Sequence, residues 1–196
     1  DQLTGSAADN IILGEAGDDV IAGGEGADQI DGGAGADQID GGTGDDSILG
    51  GEGDDSILGD SGDDYIVGGI GSDAIDGGSG IDEIDYSADA AAGGDSGVTV
   101  DLSSGTATDG FGDSDTLSNI ENIKGTDEAD QLTGSAADNI ILGEAGDDVI
   151  AGLDGADTID GGSGIDEIDY STDAAAGGDS GVTVDLSSGT ATDGFG

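Results

Sequence analysis

The chain has 196 residues, including 44 glycines, and contains no proline, cysteine, methionine, tryptophan or histidine. Forty-seven acidic residues stand against one basic residue, Lys124, giving a formal net charge of -46 at pH 7. This composition excludes disulfides, thiol chemistry and histidine ligands, offers no apolar run long enough for a membrane span, and argues against nucleic acid or anionic membranes as partners, which need clustered Lys or Arg.

Residues 14–85 divide without gaps into eight nonapeptides of the form G-[G/x]-x-G-x-D-x-I-x, beginning GEAGDDVIA and GGEGADQID. Such a period is typical of a solenoid in which each unit is one structural module. The eighth-position isoleucines are Ile21, Ile30, Ile39, Ile48, Ile57, Ile66, Ile75 and Ile84. The sixth-position aspartates are Asp19, Asp28, Asp37, Asp46, Asp55, Asp64, Asp73 and Asp82.

Each unit predicts a glycine-rich turn over its first six residues and a short strand over its last three. Because side chains alternate across a strand, the eighth residue points inward and the seventh and ninth point outward, so we expect the ninth-position acids to face solvent. These acids are Asp31, Asp40, Asp76 and Asp85. Two units make one coil with two opposed strands, and Leu3 and Ile12 extend the core column upstream.

Residues 18 apart then stack at about 4.8 Å, which places the sixth-position aspartates in two columns. At about 5 Å and an effective dielectric near 20, each like-charge contact costs roughly 3 kcal/mol. A doubly charged cation between successive turns would convert this repulsion into attraction. Carboxylate and carbonyl oxygens on flexible loops favour Ca²⁺, since Mg²⁺ demands octahedral geometry and dehydrates reluctantly.

Residues 86–124 interrupt the repeats. Residues 86–97 break the register and predict a loop excursion, whereas the following segment, which includes Phe111, predicts strands and turns. Counting in nines returns Ile123 to the core column, so the roll partly continues through this connector. We expect the tyrosines Tyr65, Tyr86 and Tyr170 to serve in core or edge packing.

A second array follows, in which residues 130–152 repeat residues 1–23 unchanged. Leu132 and Ile141 stay in the core column, and the further sixth-position aspartates are Asp148, Asp157 and Asp166. The offset between copies falls from 129 to 84 residues, a loss of five whole nonapeptides, which again marks the unit as a module. We expect metal-poor loops at the two GSAADN segments, where Ala8 and Ala137 replace glycine and Asn10 and Asn139 replace aspartate.

These features predict four segments: a first array at 1–85, the connector at 86–124, a second array at 125–169, and the start of a second connector at 170–196. Because both chain ends fall within repeats, we expect a longer protein and treat head-to-tail self-association as a hypothesis.

The units resemble the G-G-x-G-x-D-x-U-x repeats of the RTX (repeats-in-toxin) family, which are known to bind calcium. The resemblance implies an all-β, right-handed parallel β-roll, with several Ca²⁺ ions held between loops by the sixth-position aspartates and by backbone carbonyls. It also implies type I secretion, a chain unfolded at low cytosolic calcium, and an extracellular or cell-surface location. We expect a structural segment of an adhesin-like, surface-layer or filament-forming protein; the alternative is the C-terminal secretion and folding module of an RTX protease or lipase.

Other functions fit the residues poorly. Paired carboxylates could hydrolyse glycosides, but here they recur by repetition and no tryptophan offers a sugar platform. The G-x-G runs precede strands rather than helices, which argues against dinucleotide binding. Residues 109–121 lack EF-hand spacing. The outward positions carry no threonine ladder for ice binding. We therefore expect no enzymatic activity in this segment.

Overall fold

The computed structural model describes residues 1–94, 96–171, 183–185 and 190–192. The described residues form strands and one short helix, and no helix among them is long and apolar enough to cross a bilayer. The elements are β1 (Gln2–Thr4), β2 (Ile11–Leu13), β3 (Val20–Glu25), β4 (Gln29–Ala34), β5 (Gln38–Thr43), β6 (Ser47–Glu52), β7 (Ser56–Ser61), β8 (Tyr65–Ile70), β9 (Ala74–Ser79), β10 (Glu83–Asp85), α1 (Asp89–Ala92), β11 (Thr99–Asp101), β12 (Thr106–Thr108), β13 (Ser114–Ser118), β14 (Asn122–Lys124), β15 (Gln131–Thr133), β16 (Ile140–Leu142), β17 (Val149–Ala151), β18 (Thr158–Asp160), β19 (Glu167–Ile168), β20 (Thr183–Asp185) and β21 (Thr190–Thr192).

Successive strands alternate between two sheets, except that β11, β12 and β13 of the connector all lie in the same one. One sheet has the order β1-β3-β5-β7-β9-β13-β12-β11-β15-β17-β19, the other the order β18-β16-β14-β10-β8-β6-β4-β2, and β20 and β21 form a separate pair. Within the first array neighbours are parallel and one coil apart, as in the pairing of Val20 with Gln38 and of Gln29 with Ser47. The structure therefore confirms an all-β parallel solenoid with two nonapeptides per turn.

The core is a single layer of branched side chains between the two sheets. The eight eighth-position isoleucines of the first array are at most 3% exposed, and Ile123, Leu132 and Ile141 continue the same layer, as the spacing predicted; Ile150 joins them. Leu3 and Ile12 pack against the layer but are only partly buried. Seventh-position residues face outward, as the exposed–buried alternation of β4 to β7 shows. Each nonapeptide of the first array thus contributes one isoleucine to the core.

The connector continues both sheets but changes strand direction in one of them. β13 pairs in parallel with β9, β12 pairs antiparallel with β13 and β11, and β11 then pairs in parallel with β15. The reversals occur at two tight turns, one at Gly105, whose φ is 69°, and one at Gly112, whose φ is 91°. The predicted loop excursion, residues 86–97, contains α1, but Tyr86 at its start and Val98 directly after it are buried in the core.

Asp85 is a correction to the sequence analysis, since this ninth-position acid is 1% exposed rather than facing solvent. The Tyr65 hydroxyl donates to Asp85 Oδ2 at 2.5 Å, and Lys124 Nζ lies 3.1 Å from the same oxygen. Burial works to raise the pKa of Asp85, but these donors and Ser87 outweigh it and hold the pKa below its usual value. Asp85 is buried because Lys124 occupies the equivalent position on the adjacent strand β14. Most of the predicted second connector lies outside the described residues, which include only 170–171, 183–185 and 190–192 of it.

Candidate metal centres

The sixth-position aspartates lie where each glycine-rich turn enters its strand. Nine of the eleven predicted ligands are buried, namely Asp19, Asp28, Asp37, Asp46, Asp55, Asp64, Asp73, Asp82 and Asp148, each at most 3% exposed. Asp157 and Asp166, near the end of the second array, are half-buried. Carboxylates rarely enter a protein interior without a partner, so this arrangement requires a compensating interaction.

One oxygen of each carboxylate is used by the backbone of the preceding coil. Asp55 Oδ1 accepts the N–H of Asp37 at 2.8 Å, and Asp64 Oδ1 accepts the N–H of Asp46 at 2.8 Å. The pattern recurs at intervals of 18 residues through both arrays, where Asp157 and Asp166 also accept the N–H of the residue one coil earlier. The two predicted columns are therefore present as hydrogen-bonded ladders.

The second oxygen, Oδ2, has no hydrogen-bond partner in any of the nine buried sixth-position aspartates. A buried acceptor without a donor loses its hydration with nothing in return, and native proteins contain few such atoms. Here they repeat along two columns. Because these Oδ2 atoms recur at regular positions, one type of ligand can bind all of them, and the ligand that suits anionic oxygens is a cation.

Backbone oxygens converge on the same places. A Cβ added to Gly32 would lie 2.5 Å from Asp37 Oδ2 and 2.6 Å from the carbonyl oxygen of Gly50 on the next coil. These two oxygens are thus no more than about 5 Å apart, a distance that one Ca²⁺ can bridge with Ca–O bonds of about 2.3–2.6 Å. No three acidic side chains among the described residues cluster tightly enough to hold one ion, so backbone carbonyls must complete the coordination.

Burial and mutual repulsion make the ionised columns unfavourable in the absence of a cation. Burial, followed by the charges of Asp37 and Asp54, raises the pKa of Asp55 to about 6 despite the stabilising backbone hydrogen bond. Burial raises the pKa of Asp64 to about 6 in the same way. Asp73 reaches about 7, from burial together with the charges of Asp115 and Asp55. The columns therefore bind either protons or metal ions more readily than ordinary surface aspartates do.

The GSAADN loops are built differently. Asn10 Oδ1 accepts the N–H of Ser6 at 2.6 Å, and its amide nitrogen donates to the Ser6 hydroxyl. In the second copy, Asn139 accepts the N–H of Ser135 and donates to the carbonyl of Glu121. The side-chain amides of Asn10 and Asn139 are thus bonded to neighbouring protein groups, and the metal-poor character of these loops stays a prediction.

Several acids that complete the ladders were not identified from the sequence. Asp115 accepts the N–H of Asp73 at 3.0 Å and Glu121 accepts that of Asp82 at 3.0 Å, so both follow the last repeat of a column. Asp130 accepts the N–H of Val98, while the Thr126 backbone and hydroxyl donate to its two oxygens. Counting back nine residues from Asn139 would have found Asp130, whereas Asp115 and Glu121 lie off the repeat.

Fifth-position aspartates form a second ladder that was also missed. Asp54 Oδ1 accepts the N–H of Ser72, and Asp63 Oδ1 accepts that of Ile81, each on the following coil. Asp9, Asp18, Asp45, Asp138 and Asp147 make the same contact. These side chains are at the exposed edge of the loops, so they link coils without creating a buried charge.

Comparison with known proteins supports a repeat assignment. The family model described as RTX calcium-binding nonapeptide repeat (4 copies) matches residues 1–30, 15–48, 23–57, 31–66, 49–84, 115–148 and 133–168. Together these matches cover 1–84 and 115–168, which is well over half of the chain. A search of the curated proteins found no match.

Proposed function

We propose that this chain, which belongs to the RTX calcium-binding nonapeptide repeat family, is an extracellular structural segment that folds and stiffens when several Ca²⁺ ions bind between its coils. The parent protein would be an adhesin, a surface-layer protein or a filament-forming protein. Family membership supports calcium binding, and RTX repeats are typical of secreted proteins, which supports the extracellular location.

The observation that carries the proposal is the set of nine buried, unpartnered Oδ2 atoms at the sixth positions. Each lies beside a turn glycine, and at every one of them except Asp73 a carbonyl oxygen of the adjacent coil borders the same space, as at Asp37 and Gly50. When bound there, Ca²⁺ would supply the positive charge that the chain itself lacks. The aspartates would hold it through Oδ2, while Oδ1 keeps the backbone of the preceding coil in register.

Calcium binding and folding are coupled in this proposal. The core holds one isoleucine per nonapeptide, and the loops carry a buried negative charge in nearly every unit, so without cations the folded state is opposed by repulsion along both columns. Extracellular calcium modules bind with dissociation constants of about 10⁻⁴–10⁻³ M, which matches a chain that stays unfolded inside the cell and folds outside it.

A structural role accounts for the sequence better than the alternative of a secretion module attached to an enzyme. The repeat occurs at two levels, as nonapeptides and as a larger unit whose copies differ by five whole nonapeptides. Such variation changes the length of a roll without changing its chemistry. The sequence of the parent protein distinguishes the two: further copies of the larger unit favour the structural role, and a catalytic motif upstream favours the enzyme module.

The test is a calcium titration followed by far-UV circular dichroism, starting in excess chelator. We expect strand signal to appear cooperatively near millimolar Ca²⁺, and equal concentrations of Mg²⁺ to be much less effective. A complete strand signal in chelator, or equal folding with Mg²⁺, would show that calcium does not drive folding.

A matched pair of variants tests the site assignment. Asp55→Asn retains an oxygen for the Asp37 N–H but replaces Oδ2, whereas Asp54→Asn removes the same charge from the adjacent exposed residue. Calcium affinity depends on the charge of the ligands, but this variant weakens only one of many calcium sites. We therefore expect Asp55→Asn to raise the calcium concentration at half-folding by about two- to threefold. Asp54→Asn should leave it nearly unchanged. Equal effects of the two variants would contradict the assignment of Asp55 Oδ2 as a ligand.

A further inference from the structure

The connector contains a group of buried acids that does not belong to the nonapeptides. Asp89 begins the short helix α1, Asp109 lies at the tip of the β12–β13 hairpin, and Asp115 lies in β13. Each is at most 3% exposed. Asp89 and the hairpin tip are in direct contact, because the N–H of Gly110 donates to Asp89 Oδ2 at 2.9 Å. Three separate chain segments therefore bring carboxylates together.

Asp109 has one oxygen that no donor reaches. Its Oδ1 accepts the N–H groups of Phe111 at 3.0 Å and Asp113 at 2.7 Å, which closes the hairpin turn. Its Oδ2 is buried and has no hydrogen-bond partner, which makes it the one buried, unpartnered carboxylate oxygen among the described residues outside the sixth positions. Asp109 is 1% exposed, so water from outside does not compensate for this loss.

The neighbouring groups add negative charge and no positive charge. The Tyr86 hydroxyl donates to Asp115 Oδ2 at 2.9 Å, and the N–H of Asp73 donates to Asp115 Oδ1, which holds Asp115 in a fixed position. Burial, followed by the hydrogen bond from Gly110 and the charges of Asp109 and Asp115, sets the pKa of Asp89 at about 6. The chain's only basic side chain, Lys124, is paired with Asp85 instead.

We propose that Asp109, together with Asp89 and Asp115, forms a Ca²⁺ site in the connector, outside the nonapeptide register. Asp109 Oδ2 is a direct ligand. Because no three acidic side chains of the described region are close enough to ligate one ion, at most one of the other two acids joins it directly. Both oxygens of Asp115 already accept hydrogen bonds, so we assign Asp89 as that second ligand. The carbonyl oxygen of Ser96 borders the same space, 3.2 Å from a Cβ placed on Gly110, and carbonyl and water oxygens complete the shell of a hard cation.

The sequence repeats this arrangement. Tyr170, Asp173 and Asp193 stand 84 residues after Tyr86, Asp89 and Asp109, in a segment that follows the second array as the connector follows the first. Such a site would fasten the connector to the end of one column, because Asp115 is bonded to both Tyr86 and Asp73. The ion would thus stabilise the junction at which the regular roll is interrupted.

The direct test is a crystal structure of the calcium-loaded chain with an anomalous difference map that locates each ion separately. We expect a peak about 2.3–2.6 Å from Asp109 Oδ2, in addition to peaks between the nonapeptide loops. A map with nonapeptide peaks and none at Asp109 would overturn the proposal and indicate that the acids share a proton instead. The repeat sites and the connector site are therefore judged independently.

Native mass spectrometry with variants gives a second measurement. Asp109→Asn keeps the oxygen that accepts the Phe111 and Asp113 N–H groups and replaces only Oδ2, so the hairpin should form. We expect it to bind one Ca²⁺ fewer than the unaltered chain at saturation. Asp113→Asn removes the same charge from the same turn without altering a ligand, and should bind the full number. An unchanged ion count in Asp109→Asn would refute the assignment; if that variant does not fold, the ion count of Asp89→Asn, also expected to fall by one, decides.

Discussion

Without calcium, the roll should become more stable as the pH falls, which is the opposite of the usual acid denaturation. Five buried aspartates carry the effect: Asp55, Asp64, Asp89 and Asp115 with pKa values of about 6, and Asp73 with a pKa of about 7. In the unfolded chain the same groups have a pKa near 3.8. Their pKa values are raised in the folded state, so their stabilisation is complete below about pH 3.8 and is lost as the pH rises through 6 to 7.

The size of the effect follows from proton uptake. At pH 5 a carboxyl with a pKa of about 6 is about nine-tenths protonated when folded and almost fully ionised when unfolded, so folding takes up roughly four protons over these five groups. An uptake of four protons changes the free energy of unfolding by at most about 5 kcal/mol per pH unit. Solvent access to the thin roll screens the charges and reduces this change to about half. We therefore expect chelator-treated chain to gain strand signal between pH 7.5 and pH 5.

Circular dichroism with light scattering, which detects association, measures this change. In saturating Ca²⁺ this stabilisation by acid should largely disappear, because protons and calcium compete for the same oxygens, and the folded chain should bind Ca²⁺ more weakly at pH 5.5 than at pH 7.5. The triple variant Asp55→Asn, Asp64→Asn, Asp73→Asn should fold in chelator more readily at pH 7.5 than the unaltered chain. No gain of strand signal on acidification in chelator would refute the assignment of buried, ionised columns.

Three further substitutions test the loops, the core and the connector. For each, the measured quantity is the calcium concentration at half-folding, which rises as the folded chain is destabilised. Gly50→Ala places a Cβ 2.5 Å from both Asp55 Oδ2 and the Gly68 carbonyl oxygen and should prevent normal folding, whereas Gly17→Ala, with φ 112° and open space, should cost only about 1–2 kcal/mol. Ile57→Ala removes a side chain that is 2% exposed and should destabilise by about 2–5 kcal/mol. Lys124→Met leaves Asp85 buried without its cation and should cost about 3–5 kcal/mol, most of which Asp85→Asn in the same chain should restore. An effect of Gly50→Ala no larger than that of Gly17→Ala, a neutral Ile57→Ala, or a neutral Lys124→Met would each contradict the corresponding contact.

Much of the fold follows from the nine-residue period because each unit repeats the same pattern of a glycine-rich turn followed by a short strand. The isoleucine at position eight must alternate inward, and a two-unit coil then places Asp37 above Asp19 and below Asp55. The period also explains why Ile123 and Ile141 return to the core across the connector. The period does not predict that the two oxygens of each carboxylate differ, with Oδ1 accepting a backbone N–H and Oδ2 remaining unpartnered.

The connector was harder to predict because its contacts join residues that no period relates. Asp85 is 39 residues from Lys124, and Tyr86 is 29 residues from Asp115. Asp85 occupies a ninth position, and the acids at the other ninth positions are at least partly exposed; its burial depends on its contacts with Tyr65 and with Lys124 on β14. Likewise Asp109 reads as one more acidic loop residue until the hairpin places it beside Asp89.

The roll compensates its buried acids in two physically different ways. In the regular nonapeptides the chain provides no donor for Oδ2, so the compensating charge has to come from outside. Where the repeat is broken, the chain supplies donors of its own for every buried acid described there except Asp109 Oδ2: Thr126 for Asp130, Tyr86 for Asp115, and Lys124 for Asp85. A unit that imports its counter-charge depends on no distant residue, and for that reason whole nonapeptides can be added or removed, as the five-unit difference between the two arrays requires. A unit compensated by a specific donor has no such freedom, so the connector recurs as a block while the arrays vary in length.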